Sequence, residues 1–195
     1  MLYTYNKGEL LRVVTICIGL ISIIAGIRVQ LHAWYNVGMI ILGIDPGTAT
    51  TGWAVVEKNG QLLHLVGVGV VTTKAGLPFE DRLLTIFDDI TTLITQYKPD
   101  VCALEQLFFN SNAKTAMLVG QARGVVLLAA KRKQVAVVSY TPLHIKLAIT
   151  GYGRATKTQI QKMVTTLLKL DQIPKPDDAA DAVAIALTYC FNRKQ

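Results

Sequence analysis

The fold is decided by residues 39–72, which read MIILGIDPGTATTGWAVVEKNGQLLHLVGVGVVT. Apolar residues dominate three runs in this stretch, and turn-forming residues separate them: Pro46-Gly47 follows the first run and Asn59-Gly60 the second. The pattern predicts strands over 40–45, 52–57 and 62–72. Because links this short can join only antiparallel neighbours, the three strands form a meander.

Beyond the meander the apolar period changes from that of a strand to that of a helix. Residues 79–97 carry apolar side chains at helical spacing, and the helix ends at Lys98-Pro99. Residues 101–104 form a short apolar run typical of a buried parallel strand. The remaining elements are predicted as a helix over 112–133, a strand over 135–139 and helices over 141–149, 156–168 and 178–191. A meander followed by β-α-β units is the pattern of a ribonuclease H-like domain, an α/β fold whose five-stranded mixed sheet is flanked by helices.

Length and composition exclude several classes of protein. The chain has 195 residues, of which 51% are hydrophobic and 17% charged, so it is neither disordered nor long enough for a two-domain ATPase of the actin kind. An ATP-binding module using the loop after Asp45 is excluded on the same ground. The three cysteines form no CxxC pair, which argues against a disulfide framework or a zinc site and predicts buried free thiols.

The first 38 residues differ from the rest. Residues 13–27 are uncharged and mostly apolar between Arg12 and Arg28, but a membrane-spanning helix needs about 20 residues. We expect translation to start at Met39, with residues 1–38 arising from a misplaced upstream start. A weak membrane anchor or interfacial helix is the alternative. The functional domain is then 39–195, with no membrane association expected and a cytoplasmic location.

Charge is distributed unevenly along this domain. The chain as a whole has a net charge of +7, and no acidic residue occurs from Gln106 to Leu170. A surface of one sign over such a stretch predicts a phosphate-binding face, with a merely basic surface as the alternative. The stretch contains ten basic residues: Lys114, Arg123, Lys131, Arg132, Lys133, Lys146, Arg154, Lys157, Lys162 and Lys169.

Four acidic residues stand beside apolar runs. Asp45 and Glu105 each follow a predicted buried strand, and Asp178 and Asp181 are three apart, so they share one face of a helix. Carboxylates in such places are costly unless they are paired or bind a metal, and oxygen ligands suit Mg²⁺ or Mn²⁺. Four of them can hold two ions for phosphodiester hydrolysis. The alternative role for Asp178 is that of an N-cap, and Asp177 is the alternative candidate for its place among the four carboxylates.

These motifs resemble the RuvC family of bacterial Holliday junction resolvases, the crossover junction endodeoxyribonucleases. The motifs are GIDPGT over 43–48, ALEQ over 103–106, GQARG over 120–124 and DAADA over 178–182, in the family's order and spacing. The resemblance implies a ribonuclease H-like fold and a catalytic, metal-binding set formed by Asp45, Glu105, Asp178 and Asp181. It also implies two Mg²⁺ ions per site, with Mn²⁺ able to substitute.

The resemblance extends to DNA contacts and partners. Phe108 matches the aromatic residue that stacks at the junction crossover. For one of Phe108 and Phe109, the alternative is a plain role in the hydrophobic core. Lys146 and Lys157 match basic residues that contact phosphates near the cut, and Arg123 and Arg154 complete the predicted DNA-binding residues. The expected substrate is four-way junction DNA, bound by a homodimer working with RuvA and RuvB; no small-molecule substrate is expected. The alternatives are a junction-binding protein without catalysis and a ribonuclease H-like nuclease with another nucleic-acid target.

Overall fold

A computed structural model describes residues 38–106 and 113–192, with residues 113–115 described by their backbone alone. The expectations for the N-terminal extension and for Phe108 lie outside the described residues. Cys102 and Cys190 are buried free thiols, as predicted, whereas Cys17 also lies outside. Among the helices of the described residues, none combines the length and the apolar character needed to cross a bilayer.

The predicted meander forms one half of the sheet. Strand β1 is Met39–Asp45, β2 is Thr50–Asn59 and β3 is Leu62–Thr72, and both neighbouring pairs are antiparallel. Strand β2 is longer at each end than the predicted 52–57. Its extra residues are strand because they pair with β3: that ladder runs from Thr50 to Asn59, whereas the ladder to β1 spans only Gly52 to Lys58.

Two parallel strands complete the sheet. Strand β4 is Val101–Glu105 and β5 is Ala136–Tyr140, and the order across the sheet is β3-β2-β1-β4-β5. Strand β1 pairs in parallel with β4, and β4 with β5. The predicted five-stranded mixed sheet is therefore confirmed. Because β1, β4 and β5 are parallel, their carboxyl ends meet at one edge of the sheet.

In the part of the chain that the structure describes, five helices connect and cover the strands in the predicted order. They are α1 Phe79–Tyr97, α2 Ala113–Arg132, α3 Pro142–Thr150, α4 Lys157–Leu167 and α5 Asp177–Asn192. Helices α3 and α4 begin one residue later than predicted because the preceding threonines are caps. The hydroxyl of Thr141 accepts a hydrogen bond from the His144 amide, and that of Thr156 from the Gln159 amide.

The alternation of strand side chains gives the sheet two different faces. On one face, residues such as Leu42 and Ile44 of β1 pack against α1 and α2. On the other face, Ile41 of β1 and Ala54 of β2 pack against the alanine-rich helix α5, with α3 and α4 on the same side. Residues at the carboxyl end of β1 therefore face either α1 and α2 or α5, according to their position in the alternation.

Candidate active site

Asp45 is the last residue of β1 and lies on the sheet face that α5 covers. Ile41 and Gly43 precede it at alternate positions. Ile41 packs in the core under α5, and a Cβ atom built on Gly43 would lie 2.3 Å from the carbonyl oxygen of Ala182 in that helix. Because side chains two apart in a strand share a face, the Asp45 carboxylate belongs to the α5 face as well.

Glu105 occupies the equivalent place on the neighbouring strand. Val101 and Ala103, at alternate positions of β4, pack in the same core under α5. The parallel register pairs Ile44 with Leu104. Asp45 and Glu105 therefore end adjacent parallel strands on the same face, which is why two acids far apart in sequence come together here.

Helix α5 supplies the other two acids, and small residues let it approach closely. Its buried face begins with Ala179, Ala180 and Ala182, and it rests on a sheet surface that lacks side chains at Gly43 and Gly52. Carboxylate oxygens of Asp45, Asp178 and Asp181 all lie within 4.8 Å of one another. Glu105 stands outside this closest group. Its charge nevertheless acts on Asp45, and it shares a cleft with Asp181.

The crowding of negative charge changes the acidity of the group. Burial raises the pKa of Asp45 from 3.8 to about 7, with further contributions from the charges of Glu105, Asp181 and Asp178. Burial and the charge of Asp181 raise the pKa of Glu105 as well. A divalent cation would remove this repulsion. The donors are carboxylate oxygens, the ligands that Mg²⁺, Mn²⁺ and Ca²⁺ prefer, so the residues present fit such an ion.

Two of the predicted DNA-binding lysines border the carboxylates. A cleft of about 210 Å³ is lined by Glu105, Lys146, Lys157 and Asp181, together with apolar residues of α3, α4 and α5. Lys157 Nζ lies 2.8 Å from Asp181 Oδ2. Partial burial is the largest single influence and acts to lower the pKa of Lys157, but the hydrogen bonds and charges of Asp181 and Asp177 together outweigh it, so the pKa is raised. At Glu105, the charge of Lys146 acts to lower the pKa, but burial and the charge of Asp181 outweigh it.

The neighbouring acids Asp177 and Asp178 point to different surroundings. Asp178 joins the carboxylate group. Asp177 is exposed, accepts a hydrogen bond from Gln161 Nε2 at 3.1 Å and lies 3.4 Å from Lys157 Nζ. The structure thus places only one of these two aspartates beside Asp45, the one that the three-residue spacing to Asp181 favours.

Comparison with known proteins places the chain in a family. The family profile for crossover junction endodeoxyribonuclease RuvC matches residues 41–189, a segment that contains all four carboxylates. The chain belongs to the RuvC family. The expected family is therefore confirmed, and with it membership among enzymes named as endodeoxyribonucleases.

Relatives within the RuvC family match over most of their length. The RuvC of Rubrobacter xylanophilus is 54% identical over 155 residues, which cover 80% of this chain and 87% of the relative. That of Halothermothrix orenii is 49% identical over 160 residues, covering 80% and 97%. RuvC of Thermus thermophilus, solved in complex with a Holliday junction substrate, has a TM-score of 0.75 and 36% identity, with 78% of this chain and 93% of that one covered.

Arg123, a predicted DNA contact, makes hydrogen bonds within the protein. Its Nε donates to the Glu105 carbonyl oxygen at 3.3 Å, and a terminal guanidinium nitrogen donates to Ser139 Oγ at 2.7 Å. These bonds tie α2 to the ends of β4 and β5. Sequence analysis missed this role because nothing in the GQARG motif indicates which backbone the arginine meets.

Replacing Arg123 with alanine is expected to lower the free energy of unfolding by about 1–2 kcal/mol, because one hydrogen bond to the end of β4 and one to Ser139 of β5 are lost. Chemical denaturation measures the change. Lys131→Ala is the matched control, since Lys131 is an exposed basic residue of the same helix. Unchanged stability combined with weaker DNA binding would show that the arginine serves DNA alone.

The other predicted residues have simpler surroundings. Arg154 is exposed in the turn between α3 and α4, a few residues from Lys157. Phe108 lies outside the described residues. Gly52 belongs to the site but was not singled out from the sequence. It pairs with Asp45 across the β1–β2 ladder, and no periodic signal in the sequence marks it.

Proposed function

We propose that this protein is a structure-selective endonuclease that resolves four-way (Holliday) DNA junctions by paired symmetric nicks, in recombination and DNA repair. The observation that carries the proposal is the group of Asp45, Asp178 and Asp181 next to two lysines, in a chain of the RuvC family. The structure of the Thermus thermophilus relative with a Holliday junction substrate supports the choice of DNA substrate.

Asp45, Glu105, Asp178 and Asp181 are proposed to hold two Mg²⁺ ions, with Mn²⁺ able to replace them. Bound divalent ions supply a nucleophilic water and stabilise charge on the departing oxygen of a phosphodiester. The chain's own contribution is to fix the four carboxylates on two strand ends and one helix. The raised pKa of Asp45 also means that binding a cation releases a proton near neutral pH.

The lysines of the cleft are proposed to position the phosphate that is cut. Lys146 projects from α3, and Lys157 opens α4 behind a capping box formed by Thr156 and Gln159. A cap of this kind fixes the first turn of a helix, so the backbone position of Lys157 is well defined. Both ammonium groups stand next to the carboxylates, where they attract a phosphate that carboxylates alone would repel.

The rest of the DNA contact surface is proposed from the basic stretch. Arg154 and the free donors of Arg123 would bind backbone phosphates, and Phe108 would stack on a base at the crossover. A junction with twofold symmetry suits a homodimer with two identical sites. RuvA and RuvB are the proposed partner proteins. The DNA substrate also implies a cytoplasmic location.

The test is cleavage of a synthetic four-way junction in Mg²⁺, with a matched pair of variants at neighbouring positions. Asp178→Asn removes a member of the carboxylate group, and we expect it to lower the single-turnover cleavage rate by about 10²–10³-fold. Asp177→Asn removes the same charge from the same turn of α5, but outside the group, and should cut within about threefold of wild type.

Each alternative gives a different result in this assay. A junction-binding protein without catalysis would bind the junction but leave it intact in Mg²⁺ and in Mn²⁺. A nuclease with another target would cut plain duplex or an RNA–DNA hybrid at least as fast as the junction. Equal loss in both aspartate variants would show that total charge on α5, and not the Asp45 group, controls the reaction.

A further inference from the structure

Gly52 lies between the two halves of the carboxylate group. It is the direct partner of Asp45 in the antiparallel β1–β2 ladder. A Cβ atom built on Gly52 would lie 2.0 Å from the carbonyl oxygen of Asp178 and 3.2 Å from the Asp178 Cβ. The backbone of β2 therefore touches the residue of α5 that carries one ligand, directly opposite the strand residue that carries another.

Even the smallest side chain at this position would move the helix. Contacts of a Cβ atom below 3.0 Å essentially do not occur, so the Asp178 carbonyl oxygen would have to retreat from 2.0 Å to at least 3.0 Å. The atom that blocks is backbone, which cannot turn away as a long side chain can. Asp178 would consequently move away from β2, and from Asp45 beside Gly52, by about 1 Å, which is close to the largest difference between the oxygen–oxygen spans of Mg²⁺ and Ca²⁺.

The size of an ion decides which separations it can bridge. Two oxygens on opposite sides of an ion are at most about 4.2 Å apart for Mg²⁺ and about 4.6–5.2 Å for Ca²⁺, and Mg²⁺ demands the stricter geometry. The carboxylate oxygens of the group lie within 4.8 Å of one another. Small side-chain adjustments bring this spacing into the range of Mg²⁺, whereas an added displacement of the Asp178 backbone takes it out.

We propose that Gly52 is a positioning residue that sets the spacing of Asp45 and Asp178 and thereby selects small divalent cations over larger ones. This inference rests on the proposed metal site. Gly43 makes a second close contact with α5 one turn further on, at Ala182 and Ala186, and so holds the rest of the helix down. Gly52, by contrast, contacts the ligand-bearing residue Asp178 itself.

The experiment titrates the full chain with MgCl2 or CaCl2, without DNA, and reads the apparent affinity from the rise in melting temperature. Gly52→Ala is expected to lower Mg²⁺ affinity by about 10–100-fold, the usual range for residues that orient metal ligands, and Ca²⁺ affinity by less than about threefold. Gly124→Ala is the matched control, because a Cβ built there meets no atom within 4 Å beyond its own stretch of α2. It should leave both affinities unchanged.

A rescue variant separates positioning from general damage. In Gly52→Ala, adding Asp178→Glu lengthens the side chain by one methylene and lets the carboxylate reach back, so Mg²⁺ affinity should recover at least about fivefold. A merely structural role for Gly52 predicts equal losses for Mg²⁺ and Ca²⁺ and no rescue, and either result overturns the inference. If Gly52→Ala does not fold, the test is Asp178→Glu in the otherwise wild-type chain. If Gly52 holds α5 close to Asp45, the longer side chain spoils the spacing and Mg²⁺ binding weakens. Unchanged Mg²⁺ affinity overturns the inference.

Failure of the inference differs from failure of the proposed function. If wild type binds neither cation, even with a junction present, the metal-dependent nuclease itself is wrong. If wild type prefers Mg²⁺ and Gly52→Ala keeps that preference, the metal site stands and only the role of Gly52 is lost.

Discussion

Replacing Asp45 with asparagine is expected to lower the single-turnover rate of junction cleavage by about 10³-fold while leaving junction binding intact. Asparagine keeps the shape of the side chain but removes the charge at the centre of the group, where three other carboxylates converge. Binding in EDTA should be equal or slightly tighter, because one fewer negative charge faces the DNA phosphates. Single-turnover cleavage and gel-shift assays on the same junction measure the two quantities.

Asp100→Asn is the matched control for this prediction. Asp100 Oδ2 accepts a hydrogen bond from the Ile40 amide at 2.7 Å, so it supports the opposite end of the same strand β1. Asparagine retains an acceptor oxygen there, and cleavage should be preserved. Near-normal cleavage by Asp45→Asn would exclude Asp45 from the chemistry, and loss of binding in EDTA would point to a folding defect.

Without divalent ions, the protein should become less stable as the pH rises from about 4 to about 7. The pKa of Asp45 is about 7 in the folded chain and 3.8 ordinarily, so between these values the folded state holds a proton that the unfolded state has released. Raising the pH through this window therefore favours unfolding. After allowance for the partial exposure of Asp45, the loss is on the order of 2 kcal/mol, and the raised pKa of Glu105 acts in the same direction.

Urea unfolding at several pH values, in EDTA and again in MgCl2, measures this dependence. Magnesium should abolish most of the decline, because it binds the ionised carboxylates and stabilises the folded state only. Asp45→Asn should flatten the profile in EDTA and be more stable than wild type at pH 8. If the stability of the wild type rises over this pH range, or if Asp45→Asn leaves its pH dependence unchanged, the raised pKa of Asp45 is contradicted.

The elements that sequence analysis located best are those with strong local signals. Helix α1 and strand β3 have the predicted bounds because apolar periodicity and turn residues mark them directly. The ends of β2 were underestimated because its outer residues are strand through their pairing with β3, which the local sequence does not mark. Thr141 and Thr156 were assigned to helices that they cap, since a cap and a first helical residue differ in backbone angles and not in hydrophobicity.

The candidate site also has features that the sequence predicts and features that it does not. Acids at strand ends and at helical spacing can be found from the sequence, and the structure brings Asp45, Asp178 and Asp181 together with Glu105 nearby. The contacts of Lys157 with Asp181 and of Arg123 with Glu105 could not be predicted, because long side chains reach partners from distant segments. The close approach over Gly52 leaves no periodic signal, since it depends on a missing side chain.

The placement of the carboxylates also orders events during synthesis. Asp45 ends the first strand that the structure describes, and Asp178 and Asp181 open the last helix. The ribosome releases β1 well before α5, so the acids meet only when that helix settles onto β1 and β2. A nascent chain that has emerged as far as α3 contains Asp45 and Glu105 but neither aspartate of α5. The carboxylate group is therefore completed only when the last described helix has been made and has packed onto the sheet.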